Sequence, residues 1–410
     1  LNGVVFSDRS VSAKYQEVKH VYAPVWITQK GDEIWVKNHH SHLSLEGFSC
    51  QYQVTKNGAV GQEGELKMPS VQPGDSARLC SLHDFKTYKN TDSRLNLSVI
   101  SQQGVEVGRE QIALSDDLYE AGRKLAADAM KRYKSSRRLA TLSTAELLAR
   151  NFSVIPQFFR APTDNDKSFG NWIAKDWKKT HLDSTLSAIP LKDGEYVYHY
   201  GEDGASDKAG SSASAKSGGN IRLRLEVSPQ QDGFVDVKAT YSFEGNLPEL
   251  PRLGLMLELP RVAYDQVKWY GRGPWENYPD RKQSCPIGWY ESSVENQFTH
   301  YPRPQDNGNH EDCSYIELTN KNGKNALQVI AAGDTPLSFS ALPYSVADLY
   351  AARHDFELKQ SGNPNLRYTC LSLDCAVLGL GNSSCGPGVL KKYAIDKTKT
   401  YTLHFKMRIL

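Results

Sequence analysis

Apolar and polar residues alternate along most of this chain, and this period of two constrains the fold more than any other feature. The alternation runs through residues 21–114, in segments such as "DEIWVKN" that end at Gly, Asn or Pro, and it resumes after residue 151. Successive side chains of a strand point to opposite faces, so the pattern predicts half-buried strands joined by turns. Asn57 and Gly58 predict a two-residue hairpin turn, because both tolerate the positive φ angles of a type I′ turn.

The predicted strands fall into two groups, which implies two β-sandwiches. Those of residues 21–114 follow one another at the spacing of an immunoglobulin-like sandwich, and we expect Trp26 or Trp35 to face its core. The roughly 260 residues after position 150 contain further strands without the helices that connect parallel strands. This part of the chain predicts one large antiparallel sandwich, and the fold class is therefore all-β.

Two segments depart from the strand pattern. Residues 115–134 begin with Ser and two Asp ahead of spaced apolar residues, which favours a helix, and Ser143 with Glu146 fits a capping box. For residues 115–150 the sequence leaves both helix and strand as alternatives, because pairing with other parts of the chain can override local propensity. The Gly-, Ser- and Ala-rich tract 202–219 predicts a hairpin tip with little regular structure, since it buries little apolar surface.

Composition excludes several classes of partner and site. The 49 Lys and Arg residues nearly balance 47 Asp and Glu, so no strong field favours nucleic acid or a membrane surface. No apolar run reaches the ~18 residues of a membrane span. The seven cysteines are an odd number without a CxxC pair, which predicts small apolar fillers and neither a zinc site nor a disulfide framework.

The N-terminal sequence favours a piece of a longer protein. The first residues, "LNGVVFSDRS", have neither an initiator Met nor the apolar core of a signal peptide, so we expect a sequence cut from a larger one. The sequence does not distinguish a cytoplasmic from a periplasmic location.

Several stretches of the second region are too rich in Pro, Gly, Asn and charge for ordinary strands. Four are polar and turn-rich, and two are apolar stretches that lie between them. Together and in this order, they resemble the C-terminal part of the β-galactosidases of glycoside hydrolase family two: "FFRAPTDND" (158–166), "LPELPRLGLMLELP" (247–260), "YGRGPWENYPDR" (270–281), "YPRPQDNGNHED" (301–312), "SALPYSVADLYAARHDFEL" (340–358) and "LGLGNSSCGPG" (378–388).

The resemblance implies a division into three parts. Residues 1–20 would be a tail or linker after a missing (β/α)8 barrel, residues 21–114 an immunoglobulin-like domain, and residues 115–410 a small-chain domain similar to galactose mutarotase. In the family the two catalytic glutamates and the metal sites lie in the barrel. The resemblance therefore assigns no catalytic residue, no metal and no cofactor to this chain.

Two functions follow as expectations. The first is the non-catalytic portion of a retaining β-galactosidase, which shapes the rim of the active site and the assembly. Its partners would be a β-galactoside or other carbohydrate, the missing N-terminal domains and possible further copies of the same protein. The alternative is a free-standing carbohydrate-binding or scaffolding module that uses the mutarotase-like cleft.

The resemblance also points to site residues. In the best-studied branch of the family, Cys385 is replaced by a tryptophan that packs against the sugar, so its loop is expected near the carbohydrate. Arg281 is expected to pair with Glu276, Asp280 or Asp164. The polar side chains of the motifs suit either turns or sugar hydroxyls, and His354 is either a structural histidine or the counterpart of a mutarotase acid/base. The loop consists of Asn382, Ser383, Ser384 and Cys385, and the candidates for the concave face are Arg160, Asp164, Asn165, Glu276, Asp280, Arg281, Gln305, Asn307 and His354.

Overall fold

A computed structural model describes most of the chain. The described ranges are 3–134, 152–208, 218–323, 326–358, 367–381 and 388–410. The chain forms two compact units, the first of residues 1–125 with 283–289 and the second of residues 126–282 with 290–410. No helix of the described ranges is both long enough and apolar enough to cross a membrane.

The described part of the chain is dominated by strands. The helices are α1 Ala13–Val21, α2 Leu118–Lys134, α3 Ser168–Lys179, α4 Val294–Gln297, α5 Val346–Ala351 and α6 Asp355–Leu358. The strands are β1 Val25–Lys30, β2 Glu33–Asn38, β3 Ser49–Lys56, β4 Ala59–Leu66, β5 Ser76–Ser81, β6 Ser93–Ile100, β7 Glu106–Ser115, β8 Ser153–Gln157, β9 Ile189–Pro190, β10 Gly194–Gly201, β11 Gly204–Lys208, β12 Gly219–Pro229, β13 Val235–Gly245, β14 Arg252–Pro260, β15 Gln266–Arg272, β16 Ile287–Ser293, β17 His310–Cys313, β18 Tyr315–Thr319, β19 Leu327–Ala331, β20 Leu337–Leu342, β21 Tyr368–Val377 and β22 Tyr401–Ile409.

The first unit contains two antiparallel sheets. One has the strand order β1-β2-β5 and the other the order β4-β3-β6-β7. Ile34 of β2 and Leu97 of β6 belong to one apolar core, so the sheets pack face to face. Asn57 and Gly58 have φ angles of 48° and 79° and join β3 to β4, which confirms the predicted turn.

Neither Trp26 nor Trp35 faces the core, so that prediction is wrong. Trp26 is 45% exposed, whereas its neighbours Val25 and Ile27 are buried. Trp35 is half-buried, and its indole N–H donates to Glu33 on the same side of β2. The aliphatic residues occupy the inward positions of both strands, and alternation then forces the tryptophans outward.

The second unit is a larger sandwich. Its nine-stranded sheet has the order β11-β10-β12-β13-β22-β19-β18-β15-β16, and its six-stranded sheet has the order β17-β20-β21-β14-β8-β9. The ring of Phe158, directly after β8, lies 5.2 Å from that of Tyr198 in β10, and Trp269 of β15 lies 5.8 Å from Phe339 of β20. Aromatic side chains thus fill the space between the sheets, and the all-β prediction is confirmed.

Two segments that depart from the strand pattern are partly described. Residues 118–134 form α2, so the helical alternative holds there, while Ser143 and Glu146 lie outside the described residues. Residues 204–208 of the Gly- and Ser-rich tract pair with β10 as β11. The sheet therefore extends further into this tract than its composition predicts, because backbone pairing needs no apolar side chain.

The described cysteines behave as small apolar residues. All six are free thiols, five of them buried and Cys375 half-buried, as the sequence predicts for them. Burial raises the pKa of Cys50 to about 12, so this thiol stays protonated at neutral pH.

The inner strands of the six-stranded sheet, β14, β20 and β21, are largely buried on both faces, and the outer face is polar. Every residue of β20 is buried. Phe339 points into the sandwich, so its neighbour Ser338 points outward, beside Asp374 of β21. Buried polar groups require partners, and the loops that carry the sequence motifs supply them.

Candidate functional site

The first motif, residues 158–166, is closed by a buried ion pair. Nε of Arg160 donates to Oδ2 of Asp166 at 3.0 Å and Nη2 donates to Oδ1 at 2.7 Å, with both side chains only 1% exposed. Oδ2 also accepts from the backbone N–H of Thr163 at 2.8 Å. Burial lowers the pKa of Arg160, but the Asp166 carboxylate outweighs it and the net shift is upward.

A second buried ion pair lies on the sheet itself. Arg252 of β14 donates to Asp374 of β21 through Nε at 3.1 Å and lies 3.6 Å from Asp306. A Cβ at Gly254 would lie 2.0 Å from Oδ1 of Asp374, so only glycine leaves room for the carboxylate. Burial raises the pKa of Asp374 above its ordinary value, although Arg252 opposes the shift.

Glu276 joins two loops, residues 273–286 and residues 298–309. Its Oε1 accepts from Arg281 at 2.9 Å and from the hydroxyl of Tyr301 at 2.8 Å, and its Oε2 accepts from the backbone N–H of Gly308 at 2.8 Å. Burial alone would raise its pKa, but Arg281 and these hydrogen bonds hold the pKa below the ordinary value. Glu276 is therefore a fixed carboxylate and is unsuited to act as a general acid.

Residues 378–381, which we call the anchor segment, are held by side chains of two motifs. Asp280 accepts from the backbone N–H groups of Leu380 at 2.9 Å and Gly381 at 2.7 Å. Nδ2 of Asn165 donates to the carbonyl of Gly381 at 2.6 Å, and Nη1 of Arg160 donates to that of Leu378 at 2.8 Å. The anchor segment is thus fixed immediately before the loop of Asn382, Ser383, Ser384 and Cys385, which lies outside the described residues.

The remaining candidates hold loops in place, with one exception. Gln305 accepts from the N–H of Asp164 at 3.0 Å, and Asn307 accepts from the N–H of Thr299 at 3.0 Å. His354 instead has a side chain that is 61% exposed, lies 3.1 Å from Glu357 and stacks on the neighbouring ring of Phe356. Eight of the nine predicted residues thus belong to one connected cluster, and no hydrogen bond or ion pair between described residues joins the side chain of His354 to it.

The sequence analysis missed several members of this cluster. Arg252, Asp374 and Asp306 form its base, and none belongs to the predicted set. The available signal was a charge in a largely apolar strand, at the start of "RLGLMLELP" for Arg252 and within "TCLSLDCAV" for Asp374. A charge in a fully buried strand predicts a buried partner, but not its identity.

One group of the cluster has spare hydrogen-bonding capacity. Nε and Nη1 of Arg281 are buried and have no hydrogen-bond partner among the described residues, although Nη2 is bound to Glu276. A guanidinium donates only, so these atoms suit a water or hydroxyl oxygen. Within the described ranges, no group of three or more His, Cys, Asp or Glu side chains has an arrangement that suits a metal ion.

Comparison with solved structures gives only a distant likeness. An exo-chitosanase of Amycolatopsis orientalis aligns with 81% of this chain and 28% of its own length, at 9% identity and a TM-score of 0.23. So low a score supports no conclusion about fold or function.

Sequence relatives are more informative. The chain is 25% identical to a β-galactosidase of Priestia megaterium and 27% identical to one of Lactobacillus delbrueckii subsp. bulgaricus. All of this chain is covered in both, but only 41% of each relative, so it spans about two fifths of their length. The aligned portion is the C-terminal part of these proteins.

Family comparison assigns nearly the whole chain. Residues 34–115 match the family of β-galactosidase domain 4, and residues 131–407 match that of the β-galactosidase small chain. The second match alone covers more than half of the chain. This protein therefore belongs to the β-galactosidase small-chain family.

Proposed function

We propose that this chain is the non-catalytic C-terminal portion of a retaining β-galactosidase and that it forms part of the active-site rim. The observation that carries the proposal is the anchor segment, whose backbone is held by Arg160, Asn165 and Asp280. Such dense bonding fixes the backbone at residues 378–381, and a substrate-binding rim requires a fixed support of this kind. The division at residues 20 and 114 and the assembly role are part of the same proposal.

The chemistry of the cluster supports a positioning role over a catalytic one. A retaining glycosidase needs a nucleophilic carboxylate and a second carboxyl group that donates a proton. Both oxygens of Glu276 already accept hydrogen bonds from the protein, and both oxygens of Asp280 accept backbone N–H groups. Neither carboxylate is free to attack a sugar, which supports the proposal that the hydrolytic residues lie outside this chain.

The test is hydrolysis of an aryl β-galactoside with and without the rest of the enzyme. We expect no turnover above background from the 410-residue chain and full turnover from the complete protein. In the complete protein, Asp280→Ala removes two hydrogen bonds to the anchor segment and should lower kcat/KM roughly tenfold to 100-fold, because small displacements of a binding loop are costly.

A matched control separates this effect from general destabilisation. Asp193→Ala removes an exposed carboxylate that accepts one backbone N–H, from Val227, and should leave kcat/KM unchanged. Turnover by the isolated chain that Glu276→Gln abolishes would refute the proposal. So would a coding sequence that begins at Leu1, which would favour the free-standing carbohydrate-binding module.

A further inference from the structure

The second unit has a buried carboxyl group that its hydrogen bonds only half satisfy. Glu311 of β17 has a side chain more than nine-tenths buried, and its Oε1 accepts from Asn309 and from the hydroxyl of Ser338, both at 2.8 Å. The Oε2 atom lies 3.8 Å from Nζ of Lys282, which is too far for a hydrogen bond. No described residue donates a hydrogen bond to this oxygen.

Glu311 lines a pocket of about 250 Å³ at one end of the six-stranded sheet. The strands β17, β20 and β21 are neighbours there, and Ser338 at the start of β20 lies beside the end of β21. Thr335, Pro336 and Tyr393 are also among the residues that line the pocket. The volume is slightly below that of pockets for drug-sized ligands, so the pocket suits a single small ring.

The groups around the pocket favour hydroxyl groups over ions. Asp312 is the second carboxylate of the lining, and it is already paired with Lys282 at 3.0 Å and with Arg272. Lys392 at the border lies 4.6 Å above the ring of its neighbour Tyr393. Cationic and anionic groups thus offset each other, and no excess charge selects an ion.

We propose that this pocket binds a monosaccharide-sized, uncharged ring with several hydroxyl groups. Oε2 of Glu311 accepts from one sugar hydroxyl, and the hydroxyls of Ser338 and Thr335 bond to its neighbours. Pro336 and the ring of Tyr393 provide apolar surface for the C–H face of the sugar. The site does not depend on the role proposed above for the anchor segment, because it lies within this chain and involves no hydrolysis.

Binding at the pocket should also change the amide hydrogen exchange of the anchor segment. The carbonyl of Tyr393 accepts from the N–H of Gly379 at 3.0 Å, and the lining residue Val377 directly precedes the anchor segment. A ligand that orders this wall should slow amide hydrogen exchange at residues 378–381. Exchange protection therefore gives a second readout that is independent of the ligand signal.

The experiment is a titration of the 410-residue chain with D-galactose and D-glucose, followed by saturation-transfer NMR and by hydrogen exchange. Cyclohexanol, a ring with one hydroxyl, is the comparison ligand. We expect saturable binding of a sugar with a Kd of about 1–50 mM, in the weak range expected of a small ligand. Glu311→Gln, which puts an amide in place of the carboxylate, should weaken binding roughly tenfold.

Two further variants keep the outcome decisive. Thr335 is exposed, so Thr335→Trp narrows the mouth of the pocket without disturbing the core and should abolish binding even where Glu311→Gln fails to fold. Glu226→Gln changes a half-buried carboxylate on the nine-stranded sheet and should have no effect. Absence of saturable binding up to about 100 mM sugar, or equal binding by wild type and Thr335→Trp, overturns the proposal.

Discussion

Replacement of Asp166 by asparagine tests whether the cluster is held together by buried charge. Asp166 and Arg160 form a forked pair with side chains 1% exposed, and Asp166 also accepts two hydrogen bonds from Thr163. Asparagine preserves the shape of the side chain but removes its charge. It also places an NH₂ group, which can only donate, opposite one of the N–H or O–H donors that Asp166 accepts from. Arg160 then remains as a buried cation without its hydrogen-bonded counter-ion.

The size of the effect follows from comparison with an exposed pair of the same geometry. Arg222 donates to Glu244 through Nε at 2.7 Å and Nη2 at 3.1 Å, but these side chains are 46% and 50% exposed. Removing one partner of a buried pair costs about 3–5 kcal/mol, whereas an exposed pair contributes about 0–1 kcal/mol. Asp166→Asn should therefore cost several times more stability than Glu244→Gln.

Urea unfolding and peptide-resolved hydrogen exchange together measure the difference in stability between Asp166→Asn and Glu244→Gln. A loss of 3–5 kcal/mol should lower the thermal midpoint of the second unit by at least about 6 °C. It should also raise exchange at peptides that cover residues 158–166 and the anchor segment. The double variant Arg160→Met with Asp166→Leu should recover much of the loss, because no unpaired charge stays buried.

Equal costs for Asp166→Asn and Glu244→Gln would refute the reasoning, since burial would then make no difference. Failure of the double variant to recover stability would show instead that the hydrogen bonds to Thr163 and to the anchor segment dominate.

Two further predictions concern acid stability and close packing. Burial lowers the pKa of His310 from about 6.5 to about 4, so the contribution of the neutral ring is complete above pH 6.5 and is lost as the pH falls toward 4. The loss should be about 3 kcal/mol of unfolding free energy, and urea midpoints of His310→Gln should change less over this pH range. Gly254→Ala puts a methyl group 2.0 Å from Asp374 and should cost about 3 kcal/mol or more, measured by urea unfolding; a cost below about 1 kcal/mol would contradict the close approach.

The sequence predicts the sandwiches well because alternation is a local signal. Val25 and Ile27 occupy alternate positions of β1 and are both buried, and apolar residues spaced in this way mark the buried face wherever the other face meets solvent. The same rule failed for Trp26, where we assumed that a large aromatic side chain outweighs its position on the strand. The place of Trp26 in the alternation determines which face it occupies, because a strand cannot turn one side chain to the opposite face without moving all of them.

The cluster was harder to predict because its pairs join distant parts of the chain. Asp280 holds the anchor segment from 100 residues away, and Arg252 is paired with a residue 122 positions later. Motif composition identifies the loops that take part, since Gly, Pro and Asn mark irregular backbone. It does not give the pairing, which depends on the register of β14 against β21.

The polar character of the motifs follows from the layer that they cover. Strands β14, β20 and β21 are buried on both faces, yet Ser338, Ser372 and Asp374 make the outer face polar. Irregular loops carry many backbone N–H and C=O groups that need partners, and a polar face with fixed charges supplies them where an apolar face cannot. Carboxylates such as Asp280 thus bond backbone amides in this layer, and a motif that resembles catalytic chemistry serves to hold a loop in place. The arrangement fixes these loops on the outer face of the sheet, and it leaves Oε2 of the buried Glu311 side chain facing a pocket, with no hydrogen bond donated to it by a described residue.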